Sequence, residues 1–294
     1  MPVVILAGGL GTRLSEETST KPKPMVEIGD IPMLLHIIRY YRAFGCREFV
    51  IALGYMGDYI KDYFEQYMRR SGSQTIDFSR GAIAPLEDHA GEDWVLHLLE
   101  TGRDTMTGGR LARAARFLGG RRFFATYGDG VSNIDIAALL ARHEAEGGLA
   151  TLSAVRPPSR FGRIEFDGNR IVRFDEKPQL GEGWINGGFF VLEPTVADYV
   201  ADDSMPFERA PMERLAADGR LAAHFHEGFW QCMDTLRDVK LLREMWDRGD
   251  APWRPEAANQ IARDQITGDQ ITGDQITRNR IAHDQDQDQS RGLA

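Results

Sequence analysis

Through its first half the sequence alternates short β-rich runs with stretches of helical period, and this restricts the fold more than any other feature. Val3–Leu6 reads as a buried strand, Leu34–Phe44 as a helix ended by Gly45, and Glu48–Leu53 as the next strand. Tyr59–Tyr67 follows as a helix with aromatics on one face, then a strand at Val95–Glu100, a helix at Arg110–Phe117, a strand at Phe123–Tyr127 and a helix at Ile134–Glu146. Strands separated by helices cannot pair as hairpins, so they build βαβ units. The expected fold class is α/β, a mixed, mainly parallel sheet flanked by helices.

After Ala150 the pattern changes to strands and tight turns. Thr151–Val155 is followed by Arg163–Phe166 and Ile171–Glu176, joined through Asp167-Gly168-Asn169 as a hairpin. Ile185–Leu192 is a further strand and Val239–Arg248 a helix, giving a β-rich excursion expected to cover one sheet edge. From Asn259 the chain turns into a five-residue repeat, Asp-Gln-Ile-Thr-Gly and its variants, ending in an Asp-Gln run. An Ile at every fifth residue draws no stripe on a helix, and so few short units make barely one coil of a solenoid. The expected organisation is a unit over 1–256, with halves meeting near residue 150, and a disordered, low-complexity tail over 257–294.

Among 294 residues the formal net charge is -9, so no general basic field exists to hold nucleic acid or an anionic membrane, and any phosphate site must be local. Cys46 and Cys232 stand far apart without zinc-type spacing, which suits a reducing compartment. The apolar start is broken at once by Gly8-Gly9 and is too short for a signal segment. No run approaches the roughly 20 apolar residues that span a bilayer, and a cytoplasmic protein is expected.

Directly after the first strand comes Leu6-Ala7-Gly8-Gly9-Leu10-Gly11-Thr12-Arg13-Leu14. Closely spaced glycines let backbone N–H groups close around a phosphate, and Arg13 adds a planar fork of donors. The same residues also suit a plain tight turn. A dinucleotide fingerprint starting at Gly9 would need glycine where Leu14 stands, and no lysine follows Gly11 as a P-loop requires. Next, Thr18-Ser19-Thr20-Lys21-Pro22-Lys23-Pro24-Met25 flanks Lys23 with prolines, so an extended, stiff segment is expected to fix its ammonium. A surface lysine in a proline-rich loop is the alternative.

Together these two segments resemble the signature of the sugar-1-phosphate nucleotidyltransferases, a family whose nucleotide half is Rossmann-like. Thr101-Gly102 through Met106-Thr107-Gly108-Gly109-Arg110, Tyr127-Gly128-Asp129-Gly130, Glu176-Lys177-Pro178, Ile185-Asn186-Gly187-Gly188-Phe189 and Phe229-Trp230-Gln231-Cys232-Met233-Asp234-Thr235 are similar to its cytidylyltransferase branch. The resemblance covers about residues 1–256. It implies CTP and glucose 1-phosphate as substrates, Mg²⁺ as cofactor, self-association, and a role in supplying activated sugar for surface polysaccharide; the same reaction with UTP, dTTP, GTP or another hexose 1-phosphate, and a catalytically silent regulatory subunit, are the alternatives.

It also implies a site. Leu6 through Arg13, Lys23, Thr105, Arg110 and Gly128 would hold the nucleotide, with Arg110 and the region of Thr105 offering donors to the cytosine edge. Arg13 and Lys23 would be the catalytic cations. Asp129 and Asp234 would ligate the metal, although Asp129 also suits a turn using Gly130 and Asp234 also suits a helix cap. Glu176, Lys177, Asn186, Gly187 and Gly188 would bind the sugar phosphate, although Glu-Lys-Pro also suits a strand end and the glycine pair a bulge. Trp230 reads as core more than sugar platform, His36 as a satisfied core histidine, and His224 and His226 carry no chemistry.

Overall fold

The computed structural model describes residues 1–9, 11, 14–70, 74–85, 92–157, 163–167, 170–175 and 183–262. In chain order the first half holds β1 (Val3–Leu6), α1 (Ser15–Thr18), β2 (Glu27–Ile28), β3 (Ile31–Pro32), α2 (Met33–Ala43), β4 (Glu48–Leu53), α3 (Gly57–Arg70), β5 (Gln74–Asp77), β6 (Ala82–Pro85), β7 (Val95–Glu100), α4 (Thr107–Phe117), β8 (Phe123–Tyr127), β9 (Gly130–Ser132) and α5 (Ile136–Glu146). The second half adds β10 (Ala150–Val155), β11 (Arg163–Asp167), β12 (Arg170–Asp175), β13 (Ile185–Leu192), α6 (Ala210–Ala217), β14 (Leu221–His226), β15 (Trp230–Cys232) and α7 (Leu236–Arg248).

Seven strands form one sheet in the order β14-β10-β13-β8-β1-β4-β7. The central β1 pairs in parallel with β4 and β8, and β4 with β7. Only β13 runs against its neighbours, pairing antiparallel with β8 and β10, while β10 and β14 are parallel. The second half therefore continues the main sheet instead of covering its edge. β10, β13 and β14 add to it, and the expected hairpin, β11 with β12, forms its own two-stranded sheet.

Side chains alternate across each strand, so one strand serves two cores. Val3 and Ile5 join the cluster under α2 and α7 with Leu34 and Val239, while Val4 joins the opposite cluster with Leu111 of α4 and Leu215 of α6. The helix ends follow from local chemistry. The Asp135 side chain accepts from the Ala138 N–H to start α5, and Gly147 at φ 63° ends it. Trp253 and Ala258 are buried in the first cluster, so the folded unit reaches past the boundary expected at residue 256. Residues 255–262 are helical, and the rest of the repeat lies outside the described residues. Among the described residues no helix is long and apolar enough to cross a membrane.

Candidate active site

The parallel strands β1, β4 and β8 point their C-terminal ends at one cleft of about 610 Å³. Leu6, Ala7, Gly8, Gly9 and Gly11 line one side, residues 103–107 the other, and Lys23, Gly128, Asp129 and Asp234 also reach it. Leu10, Thr12 and Arg13 lie outside the described residues. The loop is held by backbone bonds on both flanks: the Tyr55 N–H donates to the Gly8 carbonyl at 3.2 Å and the Gly128 N–H to the Leu6 carbonyl at 3.0 Å. The Thr18 hydroxyl pins its far end by donating to the Leu14 carbonyl at 2.7 Å.

Arg110 is 4% exposed and its fork is turned into the wall. One terminal nitrogen donates to the Leu53 carbonyl at 2.7 Å, the Thr101 hydroxyl at 2.6 Å and the Gly102 carbonyl at 2.9 Å. The other donates to the carbonyls of Gly8 at 3.0 Å and Arg103 at 3.2 Å. The guanidinium thus ties the glycine loop, the end of β4 and the 101–103 segment into one wall. Its terminal donors are committed to protein acceptors, which departs from the expectation that they face a cytosine. A Cβ at Gly8 or at Gly54 would overlap this guanidinium where it now lies, so a side chain at either position would make the fork shift. Thr105 is 8% exposed and lines the cleft beside it.

At the floor, the Lys23 ammonium lies 2.6 Å from Asp129 Oδ2 and 2.6 Å from Asp234 Oδ1. The lysine sits in a 3-10 turn, Lys23–Met25, and not in the extended stretch expected from its prolines. Pro22 is extended at ψ 150°, and Pro24 lies inside the turn, which closes when the Val26 N–H donates to the Lys23 carbonyl. Gly128 makes room for this arrangement, since a Cβ there would lie 2.9 Å from Pro24 Cγ. Burial opposes the charge on Lys23, but the two carboxylates outweigh it and hold its pKa above the ordinary lysine value.

The two aspartates meet because β9 and β15 pair antiparallel, with Gly130 opposite Cys232. The Met233 N–H then donates to the Asp129 carbonyl at 2.8 Å and sets both acids on one side of that ribbon. Asp129 lies in a turn with Gly128, as the turn alternative has it, but Gly130 opens β9 and is not in the left-handed region, so the turn does not use Gly130 for a positive φ. Nor is Asp234 the cap of α7. Thr235 fills that place in a capping box with Asp238, whose carboxylate also accepts from the Asp234 N–H at 3.1 Å. Burial, then Asp234 and Asp129, push the neighbouring Cys232 thiol up to about 12, so it stays protonated.

Two carboxylates converging on one positive charge form a hard-oxygen donor set that fits a divalent cation. Among the described residues no group of three or more His, Cys, Asp and Glu could hold one. A cation here would therefore complete its shell with phosphate oxygens and water.

Beyond Tyr127 a second cavity of about 270 Å³ shares Asp129 and Asp234 with the first and is lined by Asn186, Gly187, Gly188 and Trp230. Gly188 stands at φ 79°, and a Cβ on it would overlap the Tyr127 ring. The Trp230 indole N–H donates to the Gly187 carbonyl at 2.7 Å, so this ring is wall and core at once. Glu176 and Lys177 lie outside the described residues. Sequence reasoning missed Glu208, whose carboxylate accepts from the Tyr127 hydroxyl and the Thr107 hydroxyl, both at 2.6 Å. It joins the two cavities' walls across the cleft, and no local motif marks it. Tyr127 belongs to the Tyr-Gly-Asp-Gly segment, in which Gly128 and Asp129 carry the expected roles.

A glycine-rich strand-to-loop turn, a lysine and a converging acid pair thus meet at the ends of parallel strands, an arrangement that suits phosphate chemistry. The family model for nucleotidyl transferase matches residues 2–235, and the chain belongs to that family. Two curated relatives, the glucose-1-phosphate cytidylyltransferases of Salmonella typhi and Salmonella typhimurium, are each 46% identical over 255 residues, spanning 86% of this chain and 99% of theirs. The crystal structure of HddC from Yersinia pseudotuberculosis shares the fold at a TM-score of 0.60 and 22% identity, covering 83% of this chain and 99% of that one.

Proposed function

We propose that this nucleotidyltransferase moves a cytidylyl group from CTP to α-D-glucose 1-phosphate, giving CDP-glucose and pyrophosphate. The observation that carries this reading is 46% identity across nearly the whole length of relatives curated for that reaction. A phosphate oxygen of the sugar phosphate attacks the α-phosphorus in line, its electron pair forming the new P–O bond while the bond to pyrophosphate breaks. The attacking oxygen is already anionic, so no general base is needed.

The work left to the protein is positioning and charge neutralisation. The loop from Leu6 to Arg13 holds the triphosphate, with Arg13 assigned from its place in that loop. Arg110 keeps the loop and the 101–103 wall in register, and base recognition falls to the segment around Thr105. Asn186, Gly187 and Gly188 bound the sugar ring, with Glu176 and Lys177 assigned to its hydroxyls and phosphate. Lys23 offsets charge on the α- and leaving phosphates.

Nucleotidyltransferases of this family generally use a divalent metal. Here Asp129 and Asp234 would hold Mg²⁺, which would neutralise and align phosphate oxygens when bound. Two free thiols, Cys46 and Cys232, support a cytoplasmic setting, and self-association and a supply role for surface polysaccharide belong to the same reading.

Pyrophosphate release with glucose 1-phosphate and Mg²⁺, scanned over CTP, UTP, dTTP, GTP and ATP, tests it. Release with CTP in clear preference to the others is expected. Preference for another nucleotide would keep the chemistry and overturn the base assignment, while silence with all five would overturn the enzymatic reading.

A further inference from the structure

We propose that Lys23 and the divalent cation exchange for the same carboxylate pair, so that the cation settles between Asp129 and Asp234 only as a polyphosphate draws the ammonium away. This rests on the metal reading above and adds an order of events to it. The Lys23 ammonium occupies the point where both carboxylates converge, 2.6 Å from an oxygen of each. A magnesium ion drawing on those same oxygens at roughly 2.1 Å could not share that space with the ammonium.

Charge leads to the same conclusion. Each carboxylate already has the ammonium as a counter-ion, so a dication arriving alone must displace a paired, partly buried cation. The side chain of Lys23 is 11% exposed. When a triphosphate lies in the adjoining cleft, whose lining includes Lys23, the ammonium gains a second anionic partner. The backbone of Lys23 is held by the turn between Pro22 and Val26, so only the flexible four-carbon stem has to swing. Entry of the metal thereby delivers a cation to the phosphates at the moment it is needed.

Three consequences can be measured by following free Mn²⁺ with electron paramagnetic resonance. Wild-type protein without nucleotide should bind Mn²⁺ weakly. Lys23→Met, which keeps the stem and removes the charge, should bind it about 10-fold or more tightly under the same conditions. Adding Asp129→Asn to that variant should abolish the gain. Lys23→Gln serves as a second neutral variant, with near-ultraviolet circular dichroism confirming that each is folded.

If both neutral variants bind Mn²⁺ no more tightly than wild type while wild type takes it up with CTP, exchange is overturned and the metal site stands. If wild type with CTP retains no more Mn²⁺ than CTP alone, the metal reading itself is overturned and the exchange falls with it.

Discussion

Two cations of the cleft do different work, Lys23 at the acid pair and Arg110 in the wall, and each has a distinct expected phenotype. Lys23→Ala should lower kcat by about 10²–10³-fold, the usual loss when one preorganised charge-stabilising donor is removed. A wild-type rate would contradict its role. Arg110→Met should act differently, because it strips the donors from acceptors on the glycine loop, β4 and the 101–103 segment. Stranded acceptors of this kind cost roughly 1–3 kcal/mol each where buried, so urea unfolding should shift to lower concentration and KM for CTP should rise. Arg110→Lys should not restore either, since one ammonium cannot reproduce a planar fork.

At this scale the residue types of the site were legible, because only a few side chains can face phosphates and metals. The direction in which each points was not. Arg110 stands in a quoted motif, yet its donors serve the protein's own carbonyls, and that depends on β4 and Gly8 lying beside it in space.

Among the elements, the short ribbon of β9 and β15 and the start of α7 control where the acids sit. Thr235→Ala removes the side-chain cap of α7 and should cost about 1 kcal/mol. It should also lower kcat, because Asp238 of the same capping box holds the Asp234 N–H. A loss of stability with unchanged kcat would separate the cap from the site.

On α2, His36 is 2% exposed, is bonded to the Ile28 carbonyl at 2.8 Å and has its pKa lowered to about 4, chiefly by burial. The unfolded chain takes up a proton near its ordinary value of 6.5 while the folded chain resists until about 4. Stability from this residue is therefore full above pH 6.5 and is lost as pH falls toward 4, by up to about 3 kcal/mol. His36→Gln should flatten that part of the stability–pH curve. An unchanged slope would mean that another group titrates there.

The long strands and helices of the sheet were readable because each carries its own hydrophobic period. β9 and β15 were not. Three residues hold too little pattern, and their pairing joins segments about 100 residues apart.

Over the whole molecule, two nearly independent cores on opposite faces of one sheet fix the strand ends that build the cleft. The globular part closes with Trp253 and Ala258 packed into the first core. A chain ending at Ala262 should keep wild-type melting temperature and turnover, whereas one ending at Asp250 should unfold well below it. Loss of activity in the chain ending at Ala262 would assign the repeat a role in the enzyme. The repeat was conspicuous in the sequence, but the place where the fold stops was not, because Ala258 is an unremarkable residue until Trp253 lies beneath the same core.

Direct cytidylyl transfer at this cleft is best tested in a single turnover with CTP labelled at the α-phosphorus. Label is expected to pass from CTP to CDP-glucose as pyrophosphate appears, only when glucose 1-phosphate is present, with none on acid-precipitated protein. Label bound covalently to the protein, or transfer from another nucleotide but not from CTP, would contradict it.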